Sequence, residues 1–243
     1  MNAKTLKIAV QRVVLTALLA VSLFFTACQS AGEKNPYDLD LISTTKEYLA
    51  SIEADSTNLL ADLDGFIPGL ILDNRYADTN NFTGTKIYTA PKAYLRKAAA
   101  DSLLKIQAEL AKEGLGIKVF DAYRPYSATL YFYEVYPDTT FVAAPWKGSI
   151  HNRGCAIDLT LVNLATGEDL EMPTPFDEFS EAAAHTYVPE DSTVLANRTK
   201  LLTIMEKFGF EKYDYEWWHY NFSDRKGMGL LNISFEDLEK LKN

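Results

Sequence analysis

The sequence predicts a single α+β domain in which an antiparallel sheet is flanked by helices. One observation is the helical period of residues 92–112, where leucine, isoleucine and alanine recur at three- and four-residue steps. Another is the alternation of residues 156–162, which is typical of a strand with one face against a core. Helical and strand segments also follow one another without the regular alternation of a parallel sheet, and this mixture indicates an α+β fold.

Residues 1–27 have the features of an export signal. Basic residues at positions 4, 7 and 12 precede an apolar run from Val13 to Phe25. A run of this length is too short for a comfortable membrane span. It ends in Phe25-Thr26-Ala27-Cys28, which resembles the box of a bacterial lipoprotein, where the cysteine takes the lipid. An ordinary signal peptide followed by a chance cysteine is the alternative, and it also predicts export.

The expected organisation follows from this start. Residues 1–27 are a lipoprotein signal peptide, the small polar residues 28–37 are a tether, and residues 38–243 are one domain. We expect export to the periplasm or cell surface, with the lipid on Cys28 as the only anchor to a bacterial membrane. A lipidated Cys28 cannot pair with Cys155, the other cysteine of the chain, so no intramolecular disulfide is expected.

The net charge argues against nucleic acid as a partner. The chain has 24 basic and 33 acidic residues and a formal net charge of −9. Three of the basic residues and none of the acidic ones lie in residues 1–27, so the exported part carries −12. It offers no basic stripe that would follow a phosphate backbone. No oligomeric state follows from the sequence.

The elements of the domain are predicted from periodicity and from the glycines that follow two of the helices. Gly114 and Gly209 stand where glycine closes a helix, because it readily adopts the left-handed conformation. In order, the sequence predicts a helix within residues 43–62, a strand at 70–72, a helix at 92–112, strands at 117–120 and 156–162, a helix at 193–208 and a strand at 216–222.

His151 and Asp158 stand seven residues apart across a glycine turn. Strand alternation puts Asp158 on the face opposite Ile157 and Leu159, in a strand that is otherwise apolar. A buried carboxylate without a partner costs several kcal/mol, so Asp158 needs a metal or a cation beside it. A structural salt bridge with Arg153 would satisfy it equally well on this segment alone.

Glu216 and His219 favour the metal. They lie in an aromatic stretch, Glu216-Trp217-Trp218-His219-Tyr220, of a chain that has three histidines in all. Two histidines and one carboxylate give zinc three ligands and leave a fourth position for water, which is typical of a catalytic site. Strict alternation would aim Glu216 and His219 at opposite faces of a strand. A bend or bulge is therefore required if both face the metal.

Motifs in a fixed order carry a resemblance over about residues 66–222. The chain resembles the D-alanyl-D-alanine dipeptidase family of zinc peptidases, known from vancomycin resistance, within the wider group of D-alanyl-D-alanine carboxypeptidases. The motifs are Arg75-Tyr76-Ala77, Asn80-Asn81-Phe82-Thr83-Gly84, Asp121-Ala122-Tyr123-Arg124-Pro125, the S-x-H-x-x-G-x-A-x-D pattern of residues 149–158, Pro175-Phe176-Asp177 and Glu216-Trp217-Trp218-His219.

The resemblance implies a role for each matching residue. It implies one zinc ion per chain held by His151, Asp158 and His219, with Glu216 as the catalytic base and Arg124 facing the transition state. It implies further that Asp177 holds the ammonium group of a small D-amino-acid dipeptide, with Ser149 and Tyr76 also in substrate binding. A surface ion pair with Asp121 is the alternative for Arg124.

The sequence departs from the family at two places. The connection between Arg124 and His151 is shorter than in the resistance enzymes, which would open the pocket, and Cys155 replaces a small residue, which we interpret as packing.

Two other functions compete with the dipeptidase function. One competing function is a carboxypeptidase that trims longer peptidoglycan peptides. The other is a lipoprotein that binds wall peptides through zinc without cutting them, and the presence of Glu216 and Arg124 argues against it. His185 is not expected to be a ligand.

Overall fold

The computed structural model describes residues 35–242. This range contains nine strands and six α-helices, joined by loops and short 3₁₀ turns. The strands are β1 (Leu41–Ile42), β2 (Leu60–Asp62), β3 (Ile71–Leu72), β4 (Tyr94–Arg96), β5 (Leu115–Asp121), β6 (Ala156–Asn163), β7 (Phe210–Tyr213), β8 (Glu216–Phe222) and β9 (Leu230–Leu231). The helices are α1 (Thr45–Ala54), α2 (Leu63–Phe66), α3 (Lys97–Ala111), α4 (Tyr126–Val135), α5 (Ser192–Lys207) and α6 (Phe235–Lys240).

A five-stranded sheet in the order β3-β5-β6-β8-β7 forms the centre of the fold. Its neighbouring strands run antiparallel, except at one edge, where β3 lies parallel to β5. Two short pairs lie outside this sheet, β1 with β9 and β2 with β4. A largely antiparallel sheet with separate helices confirms the predicted α+β class.

The alternation of β6 divides its side chains between a core and a site. Ile157, Leu159 and Leu161 are fully buried in a hydrophobic cluster that also receives apolar residues from α3 and α5. Burying each such side chain contributes about 1.5–3 kcal/mol of transfer free energy. Asp158 points the other way, as the sequence predicts. The core thus sets which face of β6 presents its carboxylate.

Two predicted helices have different bounds in the structure. The helix expected within residues 43–62 ends at Ala54, and residues 60–62 form β2 instead. Thr44 and Glu47 form a capping box that sets where α1 begins. The helix expected at 92–112 begins at Lys97, because residues 94–96 form β4 and pair with β2.

Helix α4 was not predicted. It begins directly after Pro125 and contains the Tyr131-Phe132-Tyr133 cluster. Aromatic residues lie on both its buried and its partly exposed sides, so its sequence lacks the contrast between faces that indicates a helix. Phe132 is buried in a second, largely aromatic cluster together with Tyr76 and Tyr123.

The expectations for the chain start concern residues outside the described range. The signal peptide, Cys28 and most of the tether lie before residue 35. Among residues 35–242, no helix has both the length and the apolar character needed to cross a membrane.

Gly148 offers a test of the turn that precedes the His151 segment. It has φ 69°, and an added Cβ would lie 2.6 Å and 2.9 Å from the two methyl carbons of Leu230 and 3.3 Å from its Cγ. Gly167 has a similar φ of 74° but nothing within 4 Å of an added Cβ. We expect Gly148→Ala to lower the free energy of unfolding by about 1–3 kcal/mol more than Gly167→Ala, since only the first is overpacked. Equal losses in urea denaturation would contradict this.

Candidate metal centre

Asp158 and His219 lie opposite each other on two paired strands. They are direct partners in the antiparallel register of β6 and β8. His151 comes from a short 3₁₀ helix, His151–Arg153, which ends at Gly154 with φ 67°. The left-handed turn at Gly154 then leads into β6, and so brings His151 and Asp158 together across seven positions of sequence.

The potential ligand atoms of these three residues form a tight cluster. His219 Nδ1 lies 3.0 Å from Asp158 Oδ1 and 3.2 Å from His151 Nε2. His151 Nε2 lies 3.4 Å from Asp158 Oδ2. All three ligand atoms lie within 4.8 Å of one another, so these residues are able to hold a metal ion. Two imidazole nitrogens and a carboxylate oxygen are the donor set of a catalytic zinc site.

The surroundings of Asp158 favour its charged form. Burial by itself opposes ionisation, but His151 and then His219 outweigh it and hold the pKa of Asp158 well below its usual range. The alternative partner, Arg153, donates instead to the backbone oxygen of Met228. The buried carboxylate of Asp158 therefore lies against the two histidines and does not form the salt bridge with Arg153.

Glu216 joins the cluster through an irregularity in β8. Lys212 pairs with Tyr220, whereas the next residue, Tyr213, pairs with Glu216, so the register shifts between them. This register shift agrees with the bend or bulge that the sequence requires, and Glu216 Oε2 lies 3.8 Å from His219 Nδ1. Burial, and then the carboxylates of Asp158 and Asp177, raise the pKa of Glu216 well above its usual value.

Arg124 is held in a buried position beside the cluster. Its Nε and Nη2 donate to Asp121 Oδ2 at 3.0 Å and 2.8 Å, and Nη2 lies 3.8 Å from Asp158 Oδ2. The guanidinium also lies over the ring of Phe132, 4.7 Å from its centroid. The ion pair with Asp121 therefore exists, but it is buried and orients Arg124 toward the cavity instead of leaving it at the surface.

Asp177 is a third carboxylate that lines the same cavity, and it is half-buried. It has φ 62°, a conformation uncommon for a residue with a side chain. The hydroxyl of Tyr76 donates to its two oxygens at 3.2 Å and 3.1 Å. Burial, and then the charge of Asp158, raise the pKa of Asp177 to about 8. The surroundings of Asp177 therefore disfavour its ionised form.

One cavity of about 230 Å³ is lined by all the residues predicted for the site within the described range. Aromatic side chains form much of its wall, among them Phe82, Phe141 and Phe179. Ser149 also lines it, and its Oγ accepts a hydrogen bond from the backbone N–H of Asn152 at 3.1 Å. The eight predicted site residues of the described range are therefore brought together here, whereas Cys28 lies outside residues 35–242.

His185 and Cys155 are not among the residues that line this cavity. His185 packs against the ring of Tyr220, with centroids 6.1 Å apart. Cys155 is fully buried in the core, and burial raises the pKa of its thiol to about 11. A buried thiol of this kind is inert, which agrees with a packing role.

Sequence reasoning missed the contacts of Tyr88 and Asn221, and it expected the ion pair of Asp121 with Arg124 only at the surface. Tyr88 donates to Asp121 Oδ1 at 3.0 Å, and Asp121 in turn holds Arg124. Asn221 Oδ1 lies 3.0 Å from His219 Nε2. Asp121 belongs to a recognised motif, and Asn221 follows His219 by two positions, so strand alternation would have placed it on the same face. Tyr88 carried no such signal.

Comparisons with known proteins agree with the motifs. Residues 56–240 match the family described as D-ala-D-ala dipeptidase. A D-alanyl-D-alanine dipeptidase from Escherichia coli K12 is 36% identical, covering 75% of this chain and 93% of that protein. Another, from Enterococcus faecium, is 35% identical and covers 67% and 90%. A solved vancomycin-resistance D,D-dipeptidase in complex with a D-Ala-D-Ala phosphinate analogue is 18% identical, with 68% of this chain and 66% of that chain covered and a TM-score of 0.35.

The burial of His185 predicts how the stability of the protein depends on pH, and this effect does not involve a metal. Both ring nitrogens are buried without a hydrogen-bond partner among the described residues. Burial, and then Lys212 and Arg198, lower the pKa of His185 from 6.5 to about 4, although Asp214 opposes this. Between about pH 6.5 and 4, His185 is therefore protonated in the unfolded chain but not in the folded chain. The free energy of unfolding consequently decreases as pH falls through this range.

We expect His185→Phe to reduce this loss, because phenylalanine packs without titrating. The measurement is the free energy of unfolding from denaturant titrations of both proteins at several values between pH 7.5 and 4. The two profiles should diverge below pH 6.5, with the variant losing less. Parallel profiles would show that His185 does not titrate in this way.

Proposed function

Because the chain belongs to the D-ala-D-ala dipeptidase family of peptidases, we propose that it hydrolyses D-alanyl-D-alanine to free D-alanine with zinc and a glutamate base. The observation that carries this proposal is the cluster of His151, Asp158 and His219, with Glu216 3.8 Å from His219. A ligand set without a base would suit binding alone. The presence of Glu216 and Arg124 in one cavity favours catalysis.

The donor set fits zinc, and one ion per chain is proposed. Two neutral imidazoles and an ionised carboxylate leave a fourth position for water or substrate. Bound zinc would lower the pKa of a water toward ~7 and polarise the scissile carbonyl. Asp158 is suited to this position because its pKa lies well below the usual range, so it is a carboxylate at neutral pH.

Glu216 is proposed as the group that moves the proton. A carboxylate near the nucleophilic water accepts its proton and then gives it to the leaving amine. Burial and neighbouring carboxylates raise the pKa of Glu216, which brings its proton affinity closer to that needed at neutral pH. The bulge in β8 gives it access to the side of the strand that carries His219.

Arg124 is proposed to stabilise the oxyanion. Its guanidinium keeps its charge under all working conditions, and burial in a cavity strengthens its interaction with a developing negative charge. Asp121 and the ring of Phe132 fix its orientation before substrate arrives. Such preorganisation lowers the reorganisation needed during the reaction.

Asp177 is proposed to bind the ammonium group of the dipeptide, with Tyr76 and Ser149 nearby in the same cavity. A cation beside Asp177 would favour its ionised form and form a charge-assisted hydrogen bond. Burial, and then the charge of Asp158, raise the pKa of Asp177 to about 8, and a bound ammonium group would lower it again. The residue is therefore suited to an amine ligand.

We further propose that the protein is exported and held at a membrane by a lipid on Cys28. The support is the basic start, the short apolar run and the Phe25-Thr26-Ala27-Cys28 box. The remainder of the chain would then reach its substrate outside the cytoplasm.

The first test separates metal binding from chemistry. Glu216→Ala should retain one zinc per chain and lose about 10²- to 10⁴-fold in kcat for D-Ala-D-Ala, the usual contribution of general acid–base catalysis. His151→Ala should lose both zinc and activity. Zinc is measured by atomic absorption after dialysis, and turnover by release of free D-alanine.

Two variants serve as controls for this test. Glu211→Ala removes an exposed glutamate from the neighbouring strand β7, and His185→Phe removes a histidine away from the cluster. Both should keep zinc and turnover. Glu216→Ala with near wild-type turnover, or a wild-type protein without zinc, would show that the mechanism is wrong.

The second test concerns the length of the substrate. Blocking the amino terminus of D-Ala-D-Ala removes the cation and leaves Asp177 with only the hydroxyl of Tyr76 as a partner, and the lost charged hydrogen bond costs about 1–3 kcal/mol. N-acetyl-D-Ala-D-Ala should therefore have a kcat/KM at least roughly tenfold lower. In Asp177→Asn this preference should become small, because the charge that recognises ammonium is gone.

The comparison requires kcat/KM for the dipeptide, its N-acetyl form and a wall pentapeptide, each with the wild type and Asp177→Asn. A wild type that cleaves the pentapeptide as well as the dipeptide would favour the carboxypeptidase function instead.

A further inference from the structure

The two histidines of the cluster present different ring nitrogens to it. His151 uses Nε2, and its Nδ1 lies 2.6 Å from the backbone oxygen of Ala122. His219 uses Nδ1, and its Nε2 lies 3.0 Å from Asn221 Oδ1. Each imidazole therefore has one nitrogen toward the cluster and the other toward a carbonyl-type oxygen.

This arrangement decides where the proton of each ring resides. A neutral imidazole has one N–H and one lone pair, and the nitrogen that binds a metal must supply the lone pair. An oxygen acceptor beside the outer nitrogen stabilises the N–H there and leaves the inner nitrogen free. The outer contact thus sets the tautomer and the orientation of a ligand.

Asp158 offers a competing acceptor to both rings, and the two outer contacts differ in kind. Asp158 Oδ1, at 3.0 Å, would accept an N–H from Nδ1 of His219, and this competing tautomer would block the nitrogen that faces the cluster. The acceptor of His151 is a backbone carbonyl that no side-chain substitution removes. The acceptor of His219 is a side chain, and its presence depends on residue 221.

The fold holds Asn221 in place for this contact. It follows His219 by two residues on β8, so the two side chains leave the same face of the strand. Its backbone is paired on both sides, with Ala156 of β6 and Glu211 of β7. The side chain is half-buried at the edge of the cavity.

We propose that Asn221 is a positioning residue that selects the Nε2–H tautomer of His219 and so makes Nδ1 a metal ligand. The inference rests on the proposed zinc site. Asn221 acts through His219 and has no contact with the metal in this role. Its carbonyl oxygen is the required atom, and a residue that offers an oxygen acceptor at the same place should replace it.

The experiment compares Asn221→Leu with Asn221→Asp in the full domain. Leucine has a similar size but no acceptor, whereas aspartate retains an oxygen that accepts the Nε2–H. Zinc affinity is measured by competition with a chromophoric chelator. Asn221→Leu should bind zinc about 10- to 100-fold more weakly, as is typical when an outer partner of a ligand is lost. Asn221→Asp should bind at least as tightly as the wild type.

Two further measurements separate positioning from general stability. The Tm of the metal-free proteins should be similar, while the rise in Tm upon addition of zinc should be smaller for Asn221→Leu. In the zinc-loaded wild type, ¹⁵N NMR of the imidazoles should show His219 protonated at Nε2 and metal-bound at Nδ1.

The outcomes are distinct. Zinc affinity of Asn221→Leu equal to that of the wild type, or His219 bound through Nε2, would overturn this inference alone. Equal weakening in Asn221→Leu and Asn221→Asp would also overturn it, because the oxygen acceptor would then have no special role. A wild-type protein that binds no zinc would overturn the proposed function as well.

Discussion

The pairing of Asp158 with His219 across β6 and β8 is the constraint on which the rest of the site depends. A carboxylate at 3% exposure requires positive charge or hydrogen-bond donors, since an isolated buried charge is very costly. The strand register places one histidine directly opposite it, and the turn closed by Gly154 supplies the other. The hydrophobic face of β6 keeps this register, because a slip by one residue would turn Asp158 into the core and Ile157 into the cavity.

The cavity concentrates carboxyl groups around that pair. Asp158, Asp177 and Glu216 line it, and Arg124 is the cation among its lining residues, already engaged with Asp121. The consequence is visible in the opposite pKa shifts of these carboxyl groups: the pKa is held down in Asp158, which faces the histidines, and raised in Asp177 and Glu216. Such a cavity favours cationic ligands, and both a zinc ion and the ammonium group of a dipeptide meet that condition.

The backbone departs from regular structure at two residues of the proposed site, Glu216 and Asp177. The register shift in β8 lets Glu216 and His219 share one side of a strand, although their spacing forbids it in a regular one. Asp177 adopts a positive φ in the segment that brings it to Tyr76. Local strain of this kind persists only when surrounding packing supports it, and aromatic residues around the cavity supply that packing.

Motifs in a fixed order implied, through a family resemblance, the residues that are proposed for the site. The sequence alone determined the α+β class, the face of β6 that carries Asp158 and the need for a bend or bulge if Glu216 and His219 are to face one metal. These follow from periodicity, from the cost of burying a carboxylate and from residue order, all of which are local. Only the tertiary structure decided the bounds of α1 and α3, the existence of α4, and the contacts of Tyr88 and Asn221. Those features depend on pairing between distant segments, such as β4 with β2, and on which aromatic face meets the core, and no short window of sequence contains that information.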